Sequence, residues 1–346
     1  MVLSLRSYQD RCVIRGGSNT ERTIMERVAL GCSGLTVSPV AFGTWQLSPR
    51  FWGEQPKQDA VDAMKRAVDT GVNFFDTADA YGDGYAETVL GEALRDLPRD
   101  ELVIATKFFN HFNPDRSRYP DLSPAYLTER CEASLERLGI ETLDLVLLHF
   151  YDQLTPLEEV AGTLENLRDQ GKIRAIGVSN HTVEQLRAQR CFGPYCVVQP
   201  PYSLVDPAGE SDLLPYCQGE DIGVMIYSPM HKGLLTGKYK GDETFDDFRQ
   251  FHPDFQGERF QQLCEAVQSL KPMADGYDLT LYQLILAATL MHPAIHSAIC
   301  GIKTPAQIEE AAGAMGKTLS RPDYFTVRKT VAGGGAKILD ASGTRK

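Results

Sequence analysis

From residue 27 onward, short apolar runs alternate with segments in which apolar residues recur every three or four positions. The runs at 40–42, 72–75, 102–106, 143–148, 173–178, 197–198, 223–226 and 295–299 are short and almost free of polar residues, which predicts strands covered on both faces. Between them, Val61, Met64 and Val68 fall on one helical face that Gly71 stops. Leu127, Cys131, Leu135 and Leu138 form another, with Ser123 as N-cap and Pro124 in the first turn. Leu157, Val160, Leu164 and Leu167 make a third, and Ile308, Ala312 and Met315 mark the last. Further helices are expected near 86–95, 182–190, 211–220, 258–275 and 280–291, and a small hairpin at 28–37 around Gly34.

Eight strand–helix units predict the α/β class and a closed (β/α)8 TIM barrel with an N-terminal β-hairpin, because eight parallel strands suffice to close a ring. The competing doubly wound sheet carries GxGxxG after its first strand, and none follows residues 40–42. The barrel occupies residues 26–320 as one domain. Residues 1–25 read as a disordered extension. Residues 321–346 lack clear periodicity and contain glycines at 333, 334 and 335, which predicts a tail lying loosely over the barrel mouth or disordered. The polar, aromatic stretch 237–257 reads as a mobile loop. In a barrel of this kind, reactive residues belong at the C-terminal strand ends.

Charge narrows the function. Thirty-five basic residues against 46 acidic ones give a net charge of −11 over 346 residues, which argues against a general nucleic-acid binder. No run approaches the ~18 apolar residues of a membrane span. Arg6, Arg11, Arg15 and Arg22 precede no apolar core, so no secretory signal is expected. Eight cysteines without a CxxC pair suit reduced thiols and a cytoplasmic setting. No heptad or apolar stripe indicates an oligomeric state.

The polar strand ends carry the chemistry. Asp76, Lys107 and His149 each follow an apolar strand directly, and Tyr81 lies five residues beyond Asp76. A lone lysine there is usually an ion-pair partner and a lone histidine a carbonyl cap, but three on neighbouring strands should converge. A phenol has a pKa of about 10. An ammonium about 4 Å away favours phenolate by about 4 kcal/mol at an effective dielectric of 20. Asp76 would hold Lys107 charged, and His149 would orient a carbonyl oxygen or share the proton. Such a group can protonate a developing alkoxide if a nicotinamide delivers the hydride. A metal is not expected: Pro293 breaks any helix pairing His292 with His296, and the 233–239 segment has the wrong spacing for a phosphate loop.

Over about residues 26–318 the chain resembles the aldo-keto reductases. The segments that carry the likeness are Gly43-Thr44-Trp45, Phe75-Asp76-Thr77-Ala78-Asp79-Ala80-Tyr81-Gly82, Ile104-Ala105-Thr106-Lys107, Leu143 to His149, Gly177-Val178-Ser179-Asn180, Tyr227-Ser228-Pro229, Gly233 to Tyr239 and Phe255-Gln256-Gly257-Glu258. The resemblance implies reduction of a small aldehyde or ketone with NADPH, or alternatively NADH, with Tyr81 as general acid and Asp76, Lys107 and His149 as its partners. It places Ser179, Asn180 and Gln199 on the carboxamide, Tyr227 against the nicotinamide ring, and Ser228, Met230, Gly233 and Leu234 along the pyrophosphate. Lys303 and Thr304 would meet the adenosine 2′-phosphate, with Gln307 and Glu310 near the adenosine. Ala311 departs from the asparagine that often contacts adenine.

Trp45, Phe108, Phe109, Phe150 and Tyr151 neighbour motif residues and are expected to form an aromatic substrate pocket, with residues 111–119 closing over it. Two other functions compete: a dinucleotide-binding regulatory or scaffold subunit with little turnover, and a Schiff-base lyase using Lys107.

Overall fold

The computed structural model describes residues 27–113 and 117–333. The expectation for residues 1–25, and that for the chain end from 334, lie outside these.

Strands β1 (Val28–Ala29) and β2 (Thr36–Val37) form the antiparallel N-terminal hairpin. Strands β3 (Val40–Gly43), β4 (Phe74–Asp76) and β5 (Val103–Phe108) follow. The chain then makes a second hairpin, β6 (Asn110–Phe112) with β7 (Arg118–Pro120). It returns to the main sheet with β8 (Leu143–Leu148), β9 (Ile173–Ser179), β10 (Tyr195–Gln199), β11 (Gly223–Tyr227) and β12 (Ser297–Gly301). The ring β3-β4-β5-β8-β9-β10-β11-β12 is parallel throughout and closes on itself through β12 and β3. This is the (β/α)8 TIM barrel with its N-terminal hairpin.

Helices clothe the ring. The short α1 (Pro49–Trp52) precedes α2 (Lys57–Asp69), and α3 (Tyr85–Leu94), α4 (Pro124–Leu138), α5 (Leu157–Asp169), α6 (Val183–Arg190) and α7 (Leu213–Gly219) each link two strands. Ser123 caps α4 by accepting from the Tyr126 amide, as expected from the sequence. After β11 come α8 (Gly257–Gln268), α9 (Lys271–Gly276) and α10 (Leu281–Leu290), then α11 (Pro305–Ala312) after β12. The single helix expected at 258–275 is two, because Pro272 lacks the amide that would continue α8 and sits instead in the first turn of α9.

The tail expectation needs correction over 321–333. These residues form α12 (Arg321–Gly333), packed on α8 and α10, with Val327 and Val331 fully buried. Ser320 Oγ accepts from the Asp323 amide at the helix start, and Arg328 pairs with Glu210 at 2.6 Å. Two valines four apart are too few to register as a period, yet they suffice once a groove exists to receive them.

Strand alternation sorts the core into two layers. Ala41, Phe74, Ala105, Leu147, Val197, Met225 and Ile299 point into the barrel and form one cluster with Leu30, Leu35 and Val37 of the N-terminal hairpin, which plugs the lower end. At Gly223 a Cβ would come within 2.7 Å of the Leu30 carbonyl, so the plug needs glycine there. The intervening residues, among them Phe42, Phe75, Ile104, Val146 and Ile226, pack outward against the helices. Two residues further along each strand the inward positions are Gly43, Asp76, Lys107, Ser179, Gln199, Tyr227 and Gly301, with His149 just past β8. The barrel interior therefore changes from apolar to polar in one step, at the mouth.

Candidate active site

At that mouth lies a cleft of about 880 Å³, with Asp76, Tyr81, His149, Ser179, Asn180, Gln199 and Tyr227 in its wall. Lys107 is fully buried behind it. Its ammonium donates to Asp76 Oδ1 at 2.7 Å, to the Thr77 carbonyl at 2.8 Å and to the Tyr81 hydroxyl oxygen at 3.4 Å. Those three acceptors use all three of its protons. Tyr81 oxygen is thus already an acceptor, which leaves its own proton to point into the cleft. Asp76 Oδ2 accepts from Gln199 Nε2 at 2.8 Å.

Burial pushes Asp76 upward and Lys107 downward, and their mutual contact opposes both shifts. The expectation that Lys107 makes Tyr81 acidic needs correction. Burial, then Asp76 and Asp79, hold the Tyr81 phenol well above its ordinary pKa. The lysine's charge is spent on Asp76, so the phenol stays protonated at neutral pH. His149 is pushed down to about 3 by burial, then by Lys107 and Arg118, and is neutral. Its ring stands edge-on to Tyr81 with centroids 6.0 Å apart, and its buried Nδ1 has no hydrogen-bond partner. Lys107 offers no exposed amine, which removes the geometric basis of a Schiff-base lyase.

Next to this group, Asn180 Nδ2 donates to the His149 carbonyl at 3.0 Å and Tyr227 OH donates to Asn180 Oδ1 at 2.8 Å. Ser179 Oγ donates to the Gln199 carbonyl at 2.9 Å. Asn180, Ser228, His231 and Lys232 all take left-handed backbone, with φ of 57°, 59°, 45° and 56°. Non-glycine residues hold that conformation only where their surroundings over-determine it. At His231 the anchors are Asp254 Oδ2 at 2.8 Å from Nε2 and Ser203 Oγ at 3.2 Å from Nδ1. His231, His252 and Asp254 bring possible metal ligands within 4.8 Å of one another, but Lys232 and Arg259 already engage them as cations.

Ser228, Met230, Gly233, Lys303, Gln307 and Glu310 share the cleft wall, as do Trp45 and Phe150. Five of the expected binding residues do not. Phe109 packs against the core and against Phe150, with ring centroids 5.2 Å apart, outside the wall. Leu234 is buried in the core beneath its loop, and Thr304 occupies the N-cap position of α11 outside the wall. Phe108 follows the inward Lys107, so strand alternation turns it outward into the helix layer. Tyr151 packs edge-on against His181 instead.

Sequence reasoning missed several wall residues. Trp52 and Arg249 are two of them: Trp52 packs edge-to-face on Phe248 at 5.1 Å, and Arg249 and the expected Lys303 lie over its ring at 5.8 and 5.3 Å. Gln46, Asn110, Arg118, Lys232 and Lys238 also line the cleft. The aromatic and basic content of 237–257 was the available signal. The wall suits an anionic, polar ligand: Lys232, Lys238, Arg249 and Lys303 all line it, and the donor Trp52 Nε1 and the acceptor Gln46 Oε1 are buried without partners.

The model of the aldo/keto reductase family matches residues 39–332. The chain belongs to the aldo/keto reductase family. It is 34% identical over 303 residues to an aldo-keto reductase, YhdN, of Bacillus subtilis (strain 168), covering 86% of this chain and 91% of that one. It is 33% identical over 320 residues to an NADH-specific methylglyoxal reductase of Escherichia coli (strain K12), covering 88% and 98%. Among solved structures, a glycerol dehydrogenase from Gluconobacter oxydans superposes with a TM-score of 0.83 at 31% identity, covering 91% of this chain and 98% of that one. This aldo/keto reductase is therefore an oxidoreductase of carbonyl and alcohol groups. Among its described residues no helix is long and apolar enough to cross a membrane.

Proposed function

We propose that the enzyme reduces a small aldehyde or ketone with NADPH, accepting NADH less well, and that Tyr81 supplies the proton. The observation that carries this reading is the Lys107 contact to the Tyr81 oxygen, 3.4 Å long, made by an ammonium whose other two bonds go to Asp76 and the Thr77 carbonyl. Ser179, Asn180, Gln199 and Tyr227 would hold the nicotinamide end. Lys232, Lys238, Arg249 and Lys303 would take the phosphates, with the first amides of α11 adding their dipole. Lys303 beside Trp52 favours the extra phosphate of NADPH, whereas the Escherichia coli relative is NADH-specific by name.

When bound, the reduced nicotinamide supplies a hydride. The chain's own part is to position and to protonate. Neutral His149 offers one N–H to the carbonyl oxygen and polarises it. Tyr81 presents its proton to the same oxygen. As the proton leaves, the phenolate oxygen gains full charge 3.4 Å from the Lys107 ammonium, so the lysine acts on the transition state rather than on the resting phenol. The apolar layer beneath the mouth keeps water from the far side.

The test is dinucleotide oxidation at 340 nm over a panel of aldehydes. Tyr81→Phe should lower kcat by about 10²–10⁴ while dinucleotide binding, read by fluorescence quenching, persists. Equal turnover in both proteins would remove Tyr81 from the reaction.

A further inference from the structure

The hairpin β6–β7 reaches the cleft wall through Asn110 and Arg118. Its register pairs Asn110 with Pro120, His111 with Tyr119 and Phe112 with Arg118. Residues two apart on a ladder share a face, so Asn110 and Arg118 look the same way, and both line the cleft. The opposite face is fastened down. His111 stacks on Tyr119 at 4.7 Å and lies 3.3 Å from Asp121, and Tyr126 OH donates to the Asn110 carbonyl at 2.6 Å. Arg118 thus extends from an anchored arm, close enough to His149 to help depress its pKa.

Three acids line the cleft, and each has a partner. Asp76 holds Lys107 and Gln199, Asp247 holds Arg249, and Glu310 accepts from Thr280 Oγ1 at 2.9 Å. Arg118 has no ion-pair partner among the described residues. It is also remote from the other cations of the cleft by topology. The hairpin follows β5, which lies four strands round an eight-strand ring from β11, the strand that leads into Lys232 and Lys238. A dinucleotide whose phosphates lie along the β11 side does not bring them to Arg118.

We propose that Arg118 selects carbonyl substrates bearing an anionic substituent, a carboxylate or a phosphate, beside the reacting group. This rests on the reductase reading above and names its substrate class. A guanidinium presents a planar pair of donors that matches either anion. Phe150, stacked on His149 with centroids 5.0 Å apart, and Trp45 give the rest of the substrate an apolar wall.

The experiment compares matched carbonyls: 4-carboxybenzaldehyde with methyl 4-formylbenzoate, and glyceraldehyde 3-phosphate with glyceraldehyde. Wild type should favour the anionic member of at least one pair. In Arg118→Met the anionic-to-neutral ratio of kcat/KM should fall about 10- to 100-fold, mostly through KM, as loss of a hydrogen bond to a charged group implies. Arg118→Lys should recover part of it. A fall confined to one pair identifies carboxylate or phosphate as the recognised anion. Neutral members turned over with no charge preference, or ratios unchanged by the substitution, overturn this assignment alone. No turnover of any of the four overturns the reductase reading together with it.

Discussion

Gln199 donates through Nε2 to Asp76 Oδ2 at 2.8 Å, joining two residues 123 positions apart across the barrel mouth. The glutamine expected to serve the carboxamide thereby also holds the aspartate that holds the lysine. Its second Nε2 proton and its Oε1, which accepts from Ser179 Oγ at 3.5 Å, remain for a ligand. Gln199→Leu strips one oxygen of a buried carboxylate of its donor. We expect a loss of about 1–3 kcal/mol in unfolding free energy, measurable by urea titration, together with a raised KM for the dinucleotide. Unchanged stability would mean that Asp76 does not depend on this bond.

The Lys107–Asp76 pair is fully enclosed, so its two halves should not behave independently. Lys107→Met alone leaves a buried carboxylate without its cation and should cost about 3–5 kcal/mol. Adding Asp76→Leu should return much of that stability without returning turnover, since burying two charges is itself expensive. Thermal unfolding beside a 340 nm assay separates the two effects.

Asp79 supplies a pH signature of the fold. Burial, followed by Glu87, pushes its carboxyl up to about 7, and its Oδ1 has no partner. Between the ordinary carboxylate range and about 7 the native state therefore keeps a proton that the unfolded chain has lost. The sign is that stability from this group is present at low pH and is lost as pH rises toward and through 7. Asp79→Asn cannot ionise. Its melting temperature relative to wild type should rise between about pH 5 and pH 8, and a flat difference would show that Asp79 titrates normally.

His231 and Asp254 tie the left-handed turn beside Gly233 to the segment that brings Arg249 to the cleft wall. Asp254 is held well below its usual range by His231, despite some burial, and by Arg259. Asp254→Ala should raise the dinucleotide KM several-fold while kcat at saturating dinucleotide changes little. A matching fall in kcat with unchanged KM would place the effect in the chemistry instead.

Helix α12 offers a stability contrast within one turn of chain. Val327 is fully buried and Phe325 is 52% exposed. Val327→Ala should cost roughly 1–2 kcal/mol from lost burial and the cavity left behind. Phe325→Ala should stay within about 0.5 kcal/mol, as exposed substitutions usually do. Equal losses in chemical denaturation would mean that the helix does not dock through its valine face.

The legible part of the site was the part that repeats with the fold. Asp76, Lys107 and His149 each stood at the end of an apolar run, where the period of two and the polarity of a parallel strand leave one direction to point. Phe108 is adjacent to Lys107 in sequence but not in space, because neighbouring strand residues face opposite ways. Arg118, Arg249 and Trp52 escaped because they sit in elements of three or four residues, too short to show a period, so nothing local says which of their side chains reach the cleft. Val327 and Val331 escaped for the related reason that two residues do not make a pattern.

The sequence alone settled the ring, its helical coat and the position of a polar layer at the C-terminal strand ends, because these follow from hydrophobic periodicity and strand count. The protonation of Tyr81 belonged to the tertiary structure. A single pair of charges argues for an acidic phenol, but the folded molecule adds desolvation and two carboxylates, and it gives the lysine's charge to Asp76. Electrostatics sums over every neighbour in space, so it is decided only once all of them have been brought together.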